Sequence, residues 1–338
     1  MSKSGLEVQK AENRFVSKVK GAFTKQEVIV AIPVLVLIII AISFNPSFIN
    51  SANLATIARR MSTWGIIAIG EALVIMTGNF DISVGAMVSF LNVLLAVMIA
   101  NWGLPIWLSI LLSILLGTII STITGLFVTK LKINSFLASI AMLYITKGLG
   151  KAITYARPVP IIGMESTDSF LRFGQSEPLG LNWDFFIFIV LIILFQVIVT
   201  RTPYGRKIYA TGDSNSVARM AGINTDLIKL SVYMISGTFV GLSSVLLISK
   251  EAVGNANYGS GLELMVIASV AIGGVSLIGG YGSMIGVLIG VIMMQIMSNI
   301  LILLQVNQHM QSLVLGVIMI LATITDIRRR VRLLGKID

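Results

Sequence analysis

Asp81 stands in MTGNFDISVGAMVSF, residues 76–90, between Asn79 and Ser83 and inside a strongly apolar part of a 338-residue chain. An unpaired charge at the centre of a membrane helix costs at least about 2.5–3.5 kcal/mol, so such a residue faces a cavity, finds a partner or leaves the helix. Gly78 and Gly85 bracket it, which points to a break between two apolar runs, with Asp81 accepting the free N–H groups that open the next helix. Asn79, Asp81 and Ser83 are therefore candidates for a helix break or for the lining of a pathway. Glu71 and Lys147 also fall within apolar runs and could shield each other as a pair. Glu263 and Asp326 sit at run ends and read as interfacial. Catalytic chemistry finds little footing: there is one histidine, His309, and no cysteine, so neither a His-pair nor a thiolate metal site can be assembled. No G-x-x-x-x-G-K-[ST] phosphate loop occurs, the nearest fragment being KGLGKA at Lys147, which lacks the first glycine.

The elements that must hold these residues are set by composition. Hydrophobic residues make up 56% of the chain and charged ones 12%, about half the charged share of a soluble domain. Continuous apolar runs recur at the length a helix needs to cross a bilayer, and their continuity excludes a barrel, whose strands alternate. The expected fold is all-α and polytopic, with ten spans at roughly 28–45, 62–78, 83–101, 105–129, 134–152, 185–200, 228–248, 262–279, 282–305 and 309–327. Residues 1–27 and 328–338 would be basic tails and 28–327 a single membrane domain. The net charge of +10 does not imply nucleic acid, because the basic residues gather at alternate loops. With both termini cytoplasmic, 18 of the 25 Lys and Arg fall on the cytoplasmic side, the asymmetry of the positive-inside rule.

Two loops are long. The outer one, 153–184, carries Arg157, Glu165, Asp168 and Arg172, and the cytoplasmic one, 201–228, contains SVARMAG at 216–222. Spans 2–5 and 7–10 run in opposite directions, as the halves of an inverted repeat do in transporters. Gly282, Gly286 and Gly290 share a helix face and suit close packing. The pairs Gly273–Gly274 and Gly279–Gly280 mark a hinge or broken helix, tolerated at membrane depth only inside protein or beside a water-filled cavity.

YGRKIYATGDSNSVARMAGIN, MISGTFVGLSSVLL, GLELMVIASVAIGGVSLIGGYGSMIGVLIG and TGNFDISVG, in that family's order and spacing from about Pro46 to Arg330, resemble the permease subunits of bacterial ABC sugar importers of the ribose, xylose, galactose and autoinducer-2 branch. The resemblance implies a coupling helix, a variant of Glu-Ala-Ala-x-x-x-Gly, at Ser216, Val217, Ala218 and Gly222, with Gly212, Ser214 and Asn215 leading into it. Two departures stand out: Asp213 and Ser214 follow Gly212 where the family has Gly-Asn, and Ser216 replaces the usual acid. The resemblance further implies a second permease chain, identical or closely homologous, an ATP-binding subunit that holds ATP and Mg, and an extracytoplasmic sugar-binding protein docking at Arg157, Glu165, Asp168 and Arg172. The setting would be the bacterial cytoplasmic membrane. The rival readings are an ion-coupled carrier using Glu71 or Asp81, a membrane anchor for an enzyme, and an intramembrane enzyme.

Overall fold

The computed structural model describes residues 25–307 together with 310, 313, 316 and 317. Almost all of the tenth expected span, both ends of the chain beyond residues 25 and 317, His309, Asp326 and Arg328 to Arg330 lie outside the described residues.

Helices α1 (Lys25–Phe44), α2 (Ser51–Met76), α3 (Val84–Ala100), α4 (Ile106–Thr129) and α5 (Ser135–Thr154) come first. After them follow α6 (Asp168–Gln175), α7 (Trp183–Arg201), α8 (Pro203–Asp213), α9 (Asn215–Met220), α10 (Thr225–Glu251), α11 (Leu262–Ile272) and α12 (Met284–Leu303). Of these, α4, α5, α7, α10 and α12 are long and apolar enough to cross a membrane. Helix starts fall where a short polar side chain can take an unpaired N–H. Asn134 accepts from Phe136 N at 2.9 Å, Asn224 from Leu227 N at 3.1 Å and Ser283 from Gly286 N at 3.0 Å. The strands β1 (Val159–Pro160) and β2 (Val253–Gly254) form one short antiparallel pair.

The centre of the bundle is α2 with α3, whose side chains from Ile66 to Met76 and from Val84 to Ile99 are almost wholly buried. Helix α10 packs on α4 and α3, and α2 packs on α12 and α11. That is the pairing an inverted relation between the two blocks requires. The α4–α10 crossing is close because Ser109, Ser113, Gly117, Ser121 and Gly125 line one face of α4 at four-residue spacing. A Cβ on Gly117 or on Gly237 would strike the other's carbonyl oxygen.

Contacts also sort the loops into two ends. At one end Lys132 pairs with Asp226 at 2.9 Å, Ser135 Oγ accepts from Phe80 N at 3.2 Å, and Gly280 N donates to Met76 O at 2.9 Å. At the other, β1 meets β2, Arg59 Nε donates to Asn182 at 2.9 Å and Lys250 pairs with Asp184 at 2.6 Å. These groupings match the alternation of sides expected from charge.

Two boundaries and one connection stand out against the expected spans. The second span begins at Ser51, eleven residues earlier than the apolar run suggests, because the amphipathic turn carrying Arg59 and Arg60 stays helical at the bundle's end. The eighth is an eleven-residue helix that stops at Ile272, leaving 273–283 irregular. The stretch before it, Ala252 to Gly261, is no surface loop. It runs along α3, where Asn92 Oδ1 accepts from Asn255 N and Ser89 Oγ accepts from Gly259 N, both at 2.8 Å. Those two side chains meet backbone groups that hydrocarbon could not satisfy.

Candidate functional site

At the end of the bundle that holds Lys132 and Gly280, α7 turns sharply into α8 through Thr202, whose hydroxyl accepts from Gly205 N at 3.2 Å, with Pro203 at the first helical position. Ser214 separates α8 from α9 and caps the latter, accepting from Val217 N at 3.4 Å. Ala218 is 3% exposed and seats α9 on the bundle, while Ser216, Val217, Arg219 and Met220 face outward. A short network fixes its angle: Thr225 Oγ1 donates to Asn215 Oδ1 at 2.7 Å, and Arg219 reaches Thr225 and Asp226, each at 2.8 Å. Gly222 closes the helix at φ +80°, with open space where a side chain would stand. The turn itself thus requires glycine, apart from any partner that approaches it.

The other end of α9's lever is backbone against backbone. Gly212, in the last turn of α8, lies so near α2 and the 273–283 segment that a Cβ there would overlap Met76 O and meet Gly280 N at 2.5 Å. Gly279, at φ +102°, would bring a Cβ to 2.7 Å from Gly78 N and 2.9 Å from Gly212 O. Tyr209, one turn back in α8, donates from its hydroxyl to Gly282 O at 2.6 Å. Burial and the neighbouring Tyr281 push the Tyr209 pKa up to about 12, so it remains a neutral donor. Gly273 ends α11 and crosses Gly286 of α12, each occupying the space a Cβ would take beside the other's carbonyl; Gly290 sits likewise on Ser269. Gly274 adopts φ +83° and turns the chain away from α11. The residues singled out at 212 and at 279–280 therefore meet in one joint, where three irregular or terminal segments touch without side chains between them.

Above this joint, residues 77–83 interrupt α2 and α3. Asp81 is fully buried and binds Ser83, accepting at Oδ1 from the Ser83 N–H at 3.0 Å and from its hydroxyl. It therefore holds the residue just before α3 and not the N–H groups of the first turn. Glu71 Oε1 accepts from Asp81 N at 3.1 Å, and Tyr233 donates to Phe80 O at 2.9 Å. Asn79 folds back on Thr77, donating to its carbonyl at 3.1 Å and its hydroxyl at 3.0 Å. Asn79, Asp81 and Ser83 have at most 5% of their surface exposed in this chain. The expected Glu71–Lys147 pair is absent: Glu71 is fully buried against Asp81, whereas Lys147 stands on the exposed side of α5.

At the far end, Arg157, Asp168 and Arg172 are exposed, and Arg172 lies 3.8 Å from Asp168 one turn earlier on α6. Glu165 opens a short 3-10 turn preceding them. Tyr155, Ile162 and Leu179 of the same 153–184 stretch are exposed as well. Behind this surface lies a buried knot that sequence reading passed over. Lys250, at the end of α10, pairs with Asp184 at the start of α7, and both meet Thr63 of α2. Gln196 was missed as well; its Oε1 accepts from Met284 N at 2.7 Å and Ile285 N at 3.2 Å, capping α12 from α7. A polar residue inside an apolar run was the available signal for Gln196, whereas Asp184 and Lys250 stand just beyond the ends of their runs. Among the described residues, no three His, Cys, Asp or Glu side chains converge as metal ligands.

A polytopic helical bundle with broken spans, bearing an exposed short helix wired to the break, is the architecture of a membrane permease. The chain belongs to the family described as "Branched-chain amino acid transport system / permease component", which matches residues 53–323. It is 35% identical over 291 residues to the ribose import permease protein RbsC of Bacillus subtilis (strain 168), covering 86% of this chain and 89% of that one. It is 35% identical over 295 residues to the probable ABC transporter permease protein YphD of Escherichia coli (strain K12), covering 87% of each. With the L-arabinose transport system permease protein AraH of the same strain it shares 32% over 291 residues, 86% of this chain and 87% of AraH. No solved structure matches the chain.

Proposed function

We propose that this chain is the pathway-forming permease subunit of an ATP-driven, binding-protein-dependent importer of a monosaccharide or related polyol. The observation that carries this reading is the joint between the last turn of α8, which leads straight into α9, and the breaks at 77–83 and 273–283. An exposed helix that continues from a helix abutting two helix breaks through its backbone is suited to convert a pull from a partner into a rearrangement of the bundle. The similarity to permeases named for ribose and arabinose import supports a sugar over the amino acid in the family's description.

In this account residues 28–327 act as one membrane domain in the bacterial cytoplasmic membrane, with both termini and α9 on the cytoplasmic side. ATP and Mg are held by a separate ATP-binding subunit seated on α9. The chain itself catalyses no reaction. Closure of two such subunits draws the α9 helices of two permease chains together, and the joint passes that movement to α2, α11 and α12. The sugar-binding protein docks on the outer face near Arg157, Glu165, Asp168 and Arg172. Weak contacts suit conduction, so choice of sugar rests chiefly with that protein.

Deletion of this chain's coding sequence should abolish uptake of labelled D-ribose or L-arabinose at low external concentration, and the restored wild-type chain should return it. Uptake of both sugars, and of other pentoses and hexoses, unchanged by the deletion would overturn the reading.

A further inference from the structure

Along α2, Thr56, Arg60, Trp64 and Ile67 follow one another at spacings of four, four and three residues, so they share one face of the helix. That face lines a cavity of about 380 Å³ at the end of the bundle that holds Lys250. Val88 of α3, Glu251 of α10, and Tyr258 and Leu262 line it from the opposite side. The volume falls in the range of about 300–1,000 Å³ typical of small-molecule sites. Ile67, Val88 and Leu262 are buried and supply an apolar floor, whereas Thr56, Arg60 and Glu251 are exposed and open the cavity to solvent. Tyr258 is held in place by the anchoring of its segment on α3, through Asn92 to Asn255 N and Ser89 to Gly259 N.

The charges around the cavity divide into two kinds. Arg59 is engaged by Asn182 and Glu177, and Lys250 by Asp184 and Thr63. Among the described residues, the side chains of Arg60 and Glu251 make no ion pair or hydrogen bond, and neither do the Trp64 indole N–H and the Tyr258 hydroxyl.

With Arg59 and Lys250 neutralised by their partners, one cation and one anion remain free to meet a solute. That balance suits a neutral molecule over an anion. Hydroxyl groups both donate and accept, so a polyol can accept from Arg60 and Trp64, donate to Glu251, and exchange either way with Tyr258. The apolar floor and the two aromatic side chains suit its C–H face. We propose that Arg60, Trp64, Glu251 and Tyr258 form a weak receiving site for a neutral monosaccharide at the outer end of the bundle, filled as sugar leaves the binding protein. The inference rests on the sugar-import reading for its ligand. Arg59 ties the rim of the cavity to Glu177 and Asn182 of the 153–184 loop, the loop proposed to receive that protein, so delivery and reception are neighbours.

The wild-type chain has no cysteine, so a single one reports without background. In the purified whole transporter, Thr56→Cys should react with a polar maleimide, and D-ribose or L-arabinose at high concentration should slow that reaction several-fold. Ser51→Cys, at the exposed start of α2 and outside the cavity, should react at one rate with or without sugar. Arg60→Gln and Glu251→Gln, each placed in the Thr56→Cys chain, should abolish the protection. Each alone should lower uptake about tenfold, the scale of one lost hydrogen bond to a charged group, while the ATP-binding subunit still co-purifies. Trp64→Phe should retain more uptake than Trp64→Ala. Reaction at Thr56→Cys that neither sugar slows, or full uptake by both charge variants, would overturn the site while leaving the import reading intact. Protection by valine and by neither sugar would overturn the ligand class, because a zwitterion can set its carboxylate on Arg60 and its ammonium on Glu251. If the wild-type transporter moves no sugar, the import reading fails, and protection of Thr56→Cys still decides whether sugar enters this cavity.

Discussion

At the scale of single residues, function and stability separate cleanly. Gly212 contributes little apolar burial, yet its missing side chain is what allows α8 to lie on Met76 O and Gly280 N. Gly212→Ala should cut sugar uptake by more than tenfold, with the ATP-binding subunit still bound and still hydrolysing ATP; uptake and hydrolysis measured on one preparation give the check. Asp184 and Lys250 show the opposite behaviour. Their side chains are 2% and 10% exposed and 2.6 Å apart, and removing one partner of such a pair costs about 3–5 kcal/mol because a buried charge is left behind. Asp184→Leu should therefore lower the thermal midpoint of the detergent-extracted protein markedly, and adding Lys250→Met should recover most of the loss, as followed by a heating assay of soluble protein. The sequence makes Asp81 conspicuous, but not its partner. Glu71 is ten positions away, and only the fold of the 77–83 break brings its carboxylate to the Asp81 N–H.

At the scale of elements, periodic apolar runs with polar caps are readable because a bilayer forces helices and short polar side chains mark their starts. Described helices answer to nine of the ten expected spans. The eighth was legible only in part, since its run of Gly, Val and Ile has span-like hydropathy while the backbone leaves the helix at Gly273. Nothing in NANYGSG distinguishes a surface loop from a segment fed into the bundle; the difference lies in Asn92 and Ser89 of α3, far away in sequence. Helix α9 is better marked, by Ser214 before it and Gly222 after it. Its exposed apolar residues, Val217 at 57% and Met220 at 80%, have no structural task within this chain that accounts for them. Met220→Asp should abolish co-purification of the ATP-binding subunit without lowering the amount of permease in the membrane. Retention of the subunit by this variant and by Val217→Asp would remove α9 from the docking role.

At the scale of the molecule, the two blocks meet with opposite sense, α10 on α4 and α3 and α2 on α12 and α11, so each end of the bundle has its own set of breaks. The joint at Gly212 occupies one end, and the Lys250–Asp184 knot lies at the other. Among the described residues, Lys130, Lys132, Arg201, Arg206, Lys207, Arg219 and Lys229 lie toward the joint's end, which agrees with the cytoplasmic orientation proposed for it. The most direct test of the whole account is to tag this chain, extract it from its native membrane, identify what co-purifies, and reconstitute the product with its binding protein in sealed vesicles. The account predicts an ATP-binding subunit in the complex and sugar uptake that requires ATP, requires the binding protein and is indifferent to ionophores. Uptake without any ATP-binding protein, persisting without ATP and collapsing with a proton or sodium ionophore, would contradict it and turn attention to Glu71 and Asp81 as ion-coupling groups.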